Sequence, residues 1–174
     1  DTSSVSAVLV VKNVEDMAAK SMTLSVQTGG VSYDMRAAAM DTAAILKAVG
    51  ASDSQTVPIA VTITQLQDSA VTIKDGKLML SPVEFSVTAT YGGKSYEITE
   101  FEKYVSRTIE IPSGVDASKI TTAVVTENGT ERHVPTCVYM AGGKWYAKIN
   151  SLTNSVYALV YNEKSFTDTV GRWY

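Results

Sequence analysis

Few side chains in this 174-residue chain can carry chemistry: it has one histidine, His133, and one cysteine, Cys137. That scarcity excludes a zinc site built on paired cysteines, an iron–sulfur cluster, any two-histidine metal motif and any disulfide within the chain. As a general base, His133 would need an orienting carboxylate and a nucleophile close by in space. No Gly-x-Ser-x-Gly elbow supplies that nucleophile. In Glu131-Arg132-His133-Val134-Pro135-Thr136 it reads as a strand histidine just after an Asn128-Gly129 turn. Cys137 alternates with apolar positions and reads as a small buried hydrophobe. On one straight strand the two would stand about 13 Å apart, too far for a dyad.

The acidic residues are scattered. Glu15, Asp16, Glu97, Glu100, Glu102 and Glu110 form no Asp-x-Asp-x-Asp-Gly calcium loop. Glu97 and Glu100 would make a glycosidase pair only if tertiary structure brought them together. Gly92-Gly93-Lys94 lacks the rest of a phosphate loop and sits where a hairpin turn is expected. Asn128-Gly129-Thr130 matches a glycosylation sequon, but its turn chemistry already accounts for it. These residues imply no cofactor and no metal.

Aromatic residues are the remaining candidates, and they concentrate toward the C-terminus. If Tyr139, Trp145, Tyr146 and Tyr157 formed an exposed, coplanar row, they would be a sugar-stacking platform for a glycan. The alternative places Trp145, Tyr157 and Tyr161 in the core, with their polar tips at its edge.

The elements that must position these residues are strands. Val and Thr make up about a quarter of the chain, and β-branched side chains suit a pleated, half-buried surface. In residues 21–27, Met22, Leu24 and Val26 alternate with polar neighbours, the two-residue period of a strand with one wet face. Residues 57–64, 83–90 and 105–111 repeat it. Gly29-Gly30, Asp75-Gly76, Gly92-Gly93, Asn128-Gly129 and Gly142-Gly143 punctuate the chain as turns. Asp41 caps a helix over residues 42–49 that Gly50 closes, with Ile45, Leu46 and Val49 on one side. A second short helix is expected over residues 14–20 with Asn13 as its cap, and a 3₁₀ turn near residues 116–119. The fold class expected is mainly β: an antiparallel β-sandwich-like domain with one or two short helices over residues 1–163. A subdomain break is conceivable near residues 104–112.

Composition narrows the partners. Hydrophobic residues make up 45% and charged residues 19% of the chain, which excludes intrinsic disorder. A net charge of −3 and a pI near 5.2 argue against nucleic acid and anionic membranes. The apolar runs are far shorter than a membrane-spanning helix requires, so no membrane insertion is expected. A monomer is expected.

The last third has a resemblance. The stretches Tyr104-Val105-Ser106-Arg107-Thr108-Ile109-Glu110-Ile111-Pro112 and Arg132-His133-Val134-Pro135-Thr136 lead into Gly142-Gly143-Lys144-Trp145-Tyr146-Ala147-Lys148-Ile149-Asn150-Ser151-Leu152-Thr153-Asn154-Ser155-Val156-Tyr157. Together they are similar to the module that precedes S-layer homology repeats in surface proteins of Gram-positive bacteria. Phe166-Thr167-Asp168-Thr169-Val170-Gly171-Arg172-Trp173 then resembles the opening of such a repeat, Phe-x-Asp-Val-x-x-His-Trp-Ala. Phe166, Asp168 and Trp173 match, whereas Thr169, Arg172 and Tyr174 replace the usual valine, histidine and alanine. Residues 164–174 are then a linker and the truncated start of a repeat.

The resemblance implies an extracellular, wall-associated, non-catalytic structural or spacer domain that displays cargo beside a wall-anchoring region. Bacterial cell-wall polysaccharide would be bound by downstream repeats that this chain does not contain. The alternative is a carbohydrate-binding module that uses the aromatic residues named above. A self-cleaving domain is disfavoured, because His133-Val134-Pro135 departs from the His-Leu-Ser/Thr or His-Phe-Ser tripeptide such domains use.

Overall fold

Alternating β-branched sequence folds here into two facing antiparallel sheets. The computed structural model describes residues 3–127 and 130–162. In the first sheet the strands lie in the order β1 (Ser3–Val10), β4 (Pro58–Gln65), β6 (Val83–Tyr91), β13 (Val156–Tyr161), β9 (Thr122–Glu127) and β10 (Thr130–Val134). Two short strands join it, β5 (Lys77–Leu78) on β13 and β7 (Lys94–Glu97) on β6. The second sheet runs β11 (Thr136–Ala141), β12 (Lys144–Thr153), β8 (Glu100–Ile111), β3 (Val31–Arg36) and β2 (Thr23–Thr28). This is the β-sandwich-like architecture expected from the alternation.

Between the sheets lies one core. Ile59, Val61, Ile63, Phe85, Val87 and Leu159 from the first sheet meet Tyr33, Met35, Ile109, Ala147 and Ile149 from the second. β13 reads as an unbroken apolar run because both its faces are covered. Tyr157 and Leu159 face the main core, while Ala158 and Val160, with Val124, pack under Val71, Ile73 and Leu78. A strand buried on both faces loses the alternation of a half-wet one.

Two helices pack into the core. In α2 (Thr42–Val49), Asp41 accepts from the Ala44 N–H at 2.9 Å and Gly50 adopts φ +75°, as the cap residues foretell. Ile45 and Val49 are buried, and Leu46 is partly so. The other helix, α1 (Val11–Ala19), starts three residues before the expected position, and Asn13 lies within its first turn. The Asn13 Oδ1 reaches back to accept from the Val10 N–H at 3.0 Å, so it satisfies a helix-end donor from inside the helix. The 3₁₀ turn forms at Ala117–Lys119, where Asp116 accepts from the Ser118 N–H and hydroxyl. Those two bonds hold the Asp116 carboxyl below its ordinary range.

Two expectations are corrected. Residues 104–112 hold no subdomain break: β8 continues to Ile111 between β12 and β3, with its register against β12 shifting only between Glu100 and Val105. The segment from His133 to Cys137 is not one straight strand either, because at Pro135 the chain leaves β10 in the first sheet and enters β11 in the second. Proline lacks the N–H a continuing ladder needs, and it marks the crossing.

One cross-strand row fixes the polarity of the first sheet. Ser3 lies opposite Gln65, Gln65 opposite Val83, and Val83 opposite Tyr157. β1 runs away from this row toward one end of the sandwich, and β13 continues from it toward the other. Ser3 and Tyr161 are therefore both at the same end, three strand spacings or about 14 Å apart laterally.

Candidate functional site

The side chain that sequence inspection missed sits at the centre of the sandwich. Arg107 is fully buried. On β8 it shares the inward parity of Val105, Ile109 and Ile111, a position where alternation calls for an apolar residue. Its guanidinium carbon lies 4.6 Å from the ring centroid of Tyr157, 5.0 Å from Tyr33 and 5.3 Å from Phe85. The rings also contact each other: Tyr33 and Phe85 at 5.1 Å and 56°, Phe85 and Tyr157 at 5.9 Å and 72°.

The guanidinium is held by neutral oxygens. Nη1 donates to the Val105 carbonyl at 3.1 Å. Nη2 donates to the Thr153 carbonyl at 2.6 Å and to the Asn154 Oδ1 at 3.0 Å. The same Oδ1 accepts from the Tyr33 hydroxyl, and Asn154 Nδ2 donates to the Ile98 carbonyl at 2.8 Å. Arg107 Nε has no partner among the described residues. Three aromatic faces and three acceptors stand where a carboxylate would, and a buried cation is tolerated only with such compensation. Sealed from solvent, the cluster presents nothing to a substrate. It is a brace that joins β8 and β3 in one sheet to β6 and β13 in the other.

The brace carries a pH signature. Burial raises the Tyr33 hydroxyl well above the ordinary tyrosine range, outweighing the nearby Arg107 charge, which lowers it. A folded-state value above the unfolded one contributes stability that is complete below about pH 10 and is lost as pH rises beyond it. Unfolding midpoints in urea at about pH 9 and about pH 11 should fall between the two for the parent chain and fall less for Tyr33→Phe. Equal alkaline losses in both chains would show that Tyr33 is not the group responsible.

The aromatic residues proposed for a glycan platform do not form one row. Tyr157 is fully buried against Phe85 and Arg107, so its place in a platform is corrected to a core role. Trp145 is 41% exposed and lies opposite Met140 and Ile111, with the inward parity of Ala147 at the sheet's end. Tyr139 and Tyr146 face each other across β11 and β12 on the outer face of the second sheet, half-buried, with centroids 5.7 Å apart at 28°. Of the four, this pair alone shares a face. Phe166, Asp168 and Trp173 lie outside the described residues.

Beside Tyr146 the outer face dips. An open depression of about 520 Å³ is lined by Tyr146, Glu110, Thr108, Ser32, Gln27 and the β2–β3 turn. The turn is a Gly29-Gly30 hairpin with φ of +50° and +81°, the left-handed pair a two-residue turn requires. A Cβ on Gly30 would meet the Glu110 Cβ at 3.0 Å, so glycine also permits this close approach. Glu110 pairs with Lys144 at 2.8 Å, and that hydrogen bond and the carboxylate's charge raise the Lys144 ammonium. Deeper along the face, Asp34 accepts from the hydroxyls of Ser25 and Ser32. A ring pair followed by hydroxyls, an amide and a carboxylate can stack on and hydrogen-bond a polyhydroxylated ligand.

His133 and Cys137 occupy different sheets, and both are exposed. For Cys137 that corrects the expected burial. The inward parity of Val134 continues across Pro135 into β11, so that Val138 faces the core and Cys137, opposite Lys148, faces out. No group of three or more His, Cys, Asp or Glu able to hold a metal ion occurs among the described residues. No protein-family model matches the chain, and no curated protein or solved structure is significantly similar to it.

Proposed function

We propose that the chain is a non-catalytic structural module of an extracellular, S-layer-associated bacterial surface protein, holding cargo beside a wall-anchoring region. The observation that supports this reading is the shared end: the strands that begin at Ser3 and finish at Tyr161 meet one pole of a braced sandwich. Segments adjoining the two strands would leave side by side. The module is then a bracket that sets its neighbours next to each other, and not a rod that adds reach. With fluorescent domains fused before residue 1 and after residue 174, energy transfer should be efficient and unaffected by viscosity. Transfer no better than that of a rod-like control would sink the bracket.

A second reading rests on the Tyr139–Tyr146 pair and the polar depression beside it. These suit recognition of a wall or extracellular glycan. Co-sedimentation of the 174-residue chain with wall sacculi that retain their secondary polymers separates the two. Under the bracket reading only a version extended through complete downstream repeats pellets. Under the glycan reading the short chain pellets too, free polysaccharide competes, and Tyr146→Ala lowers affinity at least about fivefold, since one aromatic–ligand stack of this kind contributes on the order of 1–3 kcal/mol.

A further inference from the structure

We propose that the free edge of β1 pairs with the same edge of a second copy of this chain, antiparallel and two-fold symmetric about Ser6. The argument begins with backbone groups. The Val11 N–H donates to the Val57 carbonyl at 2.9 Å. In an antiparallel ladder, bonded and outward-facing residues alternate, so Leu9, Ala7, Val5 and Ser3 turn their N–H and C=O toward β4. Val10, Val8, Ser6 and Ser4 turn theirs away. The Val10 N–H is taken by Asn13 Oδ1, and no described strand lies on that side of β1. Ser4, Ser6 and Val8 remain as evenly spaced donors and acceptors facing outward.

That set is its own complement. A two-fold axis through Ser6 places Ser6 against Ser6 of the second copy and Ser4 against Val8. These three residue pairs can each exchange both backbone bonds. The register keeps faces aligned: Val5 comes opposite Ala7, apolar against apolar on the inner side. Val8 is 67% exposed and Val5 42%, and pairing covers both.

Chemistry favours a second copy over a charged partner. From Ser3 to Val10 the strand reads Ser-Ser-Val-Ser-Ala-Val-Leu-Val, with no charge, no proline and no bulge. Those are the devices that blunt an edge. At the far side of the same sheet β10 carries them, in Glu131, Arg132 and His133. Two uncharged edges meet without the repulsion that two copies of β10 would bring. A contact of one strand pair is small, so the dimer should depend on concentration. It departs from the monomer expected from sequence and stands independently of the functional reading above.

Sedimentation velocity of the full 174-residue chain across a concentration series reads the result. The parent chain should pass from monomer to dimer, whereas Val8→Lys and Ser6→Pro should stay monomeric with folded circular dichroism. Thr130→Lys on β10 should dimerise like the parent. In a Cys137→Ser background, the S6C chain should cross-link to itself on mild oxidation, because paired Cα atoms would lie about 5.5 Å apart. The S4C chain, as exposed but offset from its own copy by about 13 Å, should not. A parent chain that is monomeric throughout, a Val8→Lys chain that dimerises normally, or equal cross-linking of S4C and S6C overturns the proposal.

Discussion

Arg107→Ala is expected to destabilise the fold by about 3–5 kcal/mol, with the largest urea-midpoint shift of any single truncation in the core. Two effects add. The side chain fills the space among Tyr33, Phe85 and Tyr157, so its loss leaves a cavity bordered by three rings. The Thr153 and Val105 carbonyls and the Asn154 Oδ1 each lose a charged donor. Replacement by methionine separates the two, since it restores most of the volume and packs against aromatic faces while restoring no donor. Its cost should be about 1–2 kcal/mol, because Thr153 still accepts from the Tyr157 hydroxyl and Asn154 from that of Tyr33. Arg107→Lys should fall between the two. A lysine at this depth loses the planar fork that reaches two carbonyls at once, and burial drives its ammonium toward the neutral form. An alanine variant within about 1 kcal/mol of the parent would mean that the buried charge costs as much as the brace contributes.

This centre is legible in principle. The sequence places Arg107 two residues after Val105 and two before Ile109, on the side that alternation assigns to the core. A charged residue at apolar parity is the signal, and it is easily missed because the strand as a whole reads as amphipathic. The same parity argument forbids Trp145 and Tyr146 from sharing a face, since neighbours on a strand point opposite ways. What sequence cannot supply is which strands lie opposite one another. Asp41, Gly50 and the Gly-Gly turns act locally and announce their elements. The convergence of Tyr33, Phe85, Arg107 and Tyr157 depends on bringing together strands more than a hundred residues apart in the chain, such as β3 and β13. Cys137 illustrates the limit: β11 carries apolar residues at both parities, and only the pairing of Val138 with Ala147 and of Cys137 with Lys148 shows which side faces inward.

Asn154→Ala should destabilise by about 2–4 kcal/mol, more than the loss of one ordinary hydrogen bond, because one amide serves two crossings of the chain between sheets. β7 belongs to the first sheet and β8 to the second, and the chain passes between them at Ile98 and Thr99. β12 and β13 cross back at Asn154 itself. The Asn154 N–H donates to the Thr99 carbonyl and its Nδ2 to the Ile98 carbonyl, both at 2.8 Å, so the two crossings are stapled to each other. Its Oδ1 faces inward and takes the Arg107 and Tyr33 donors. Truncation orphans the buried Ile98 carbonyl and the Tyr33 hydroxyl and leaves the guanidinium with carbonyls alone. The Arg107→Met, Asn154→Ala double variant should therefore cost less than the sum of its parts by about 1–2 kcal/mol, because the acceptor matters less once the cation is gone. Strict additivity would mean that Asn154 acts only on the backbone crossings. A shortfall places Arg107, Tyr33 and Asn154 in one polar network, where each member is costly to remove because the others were buried in reliance on it.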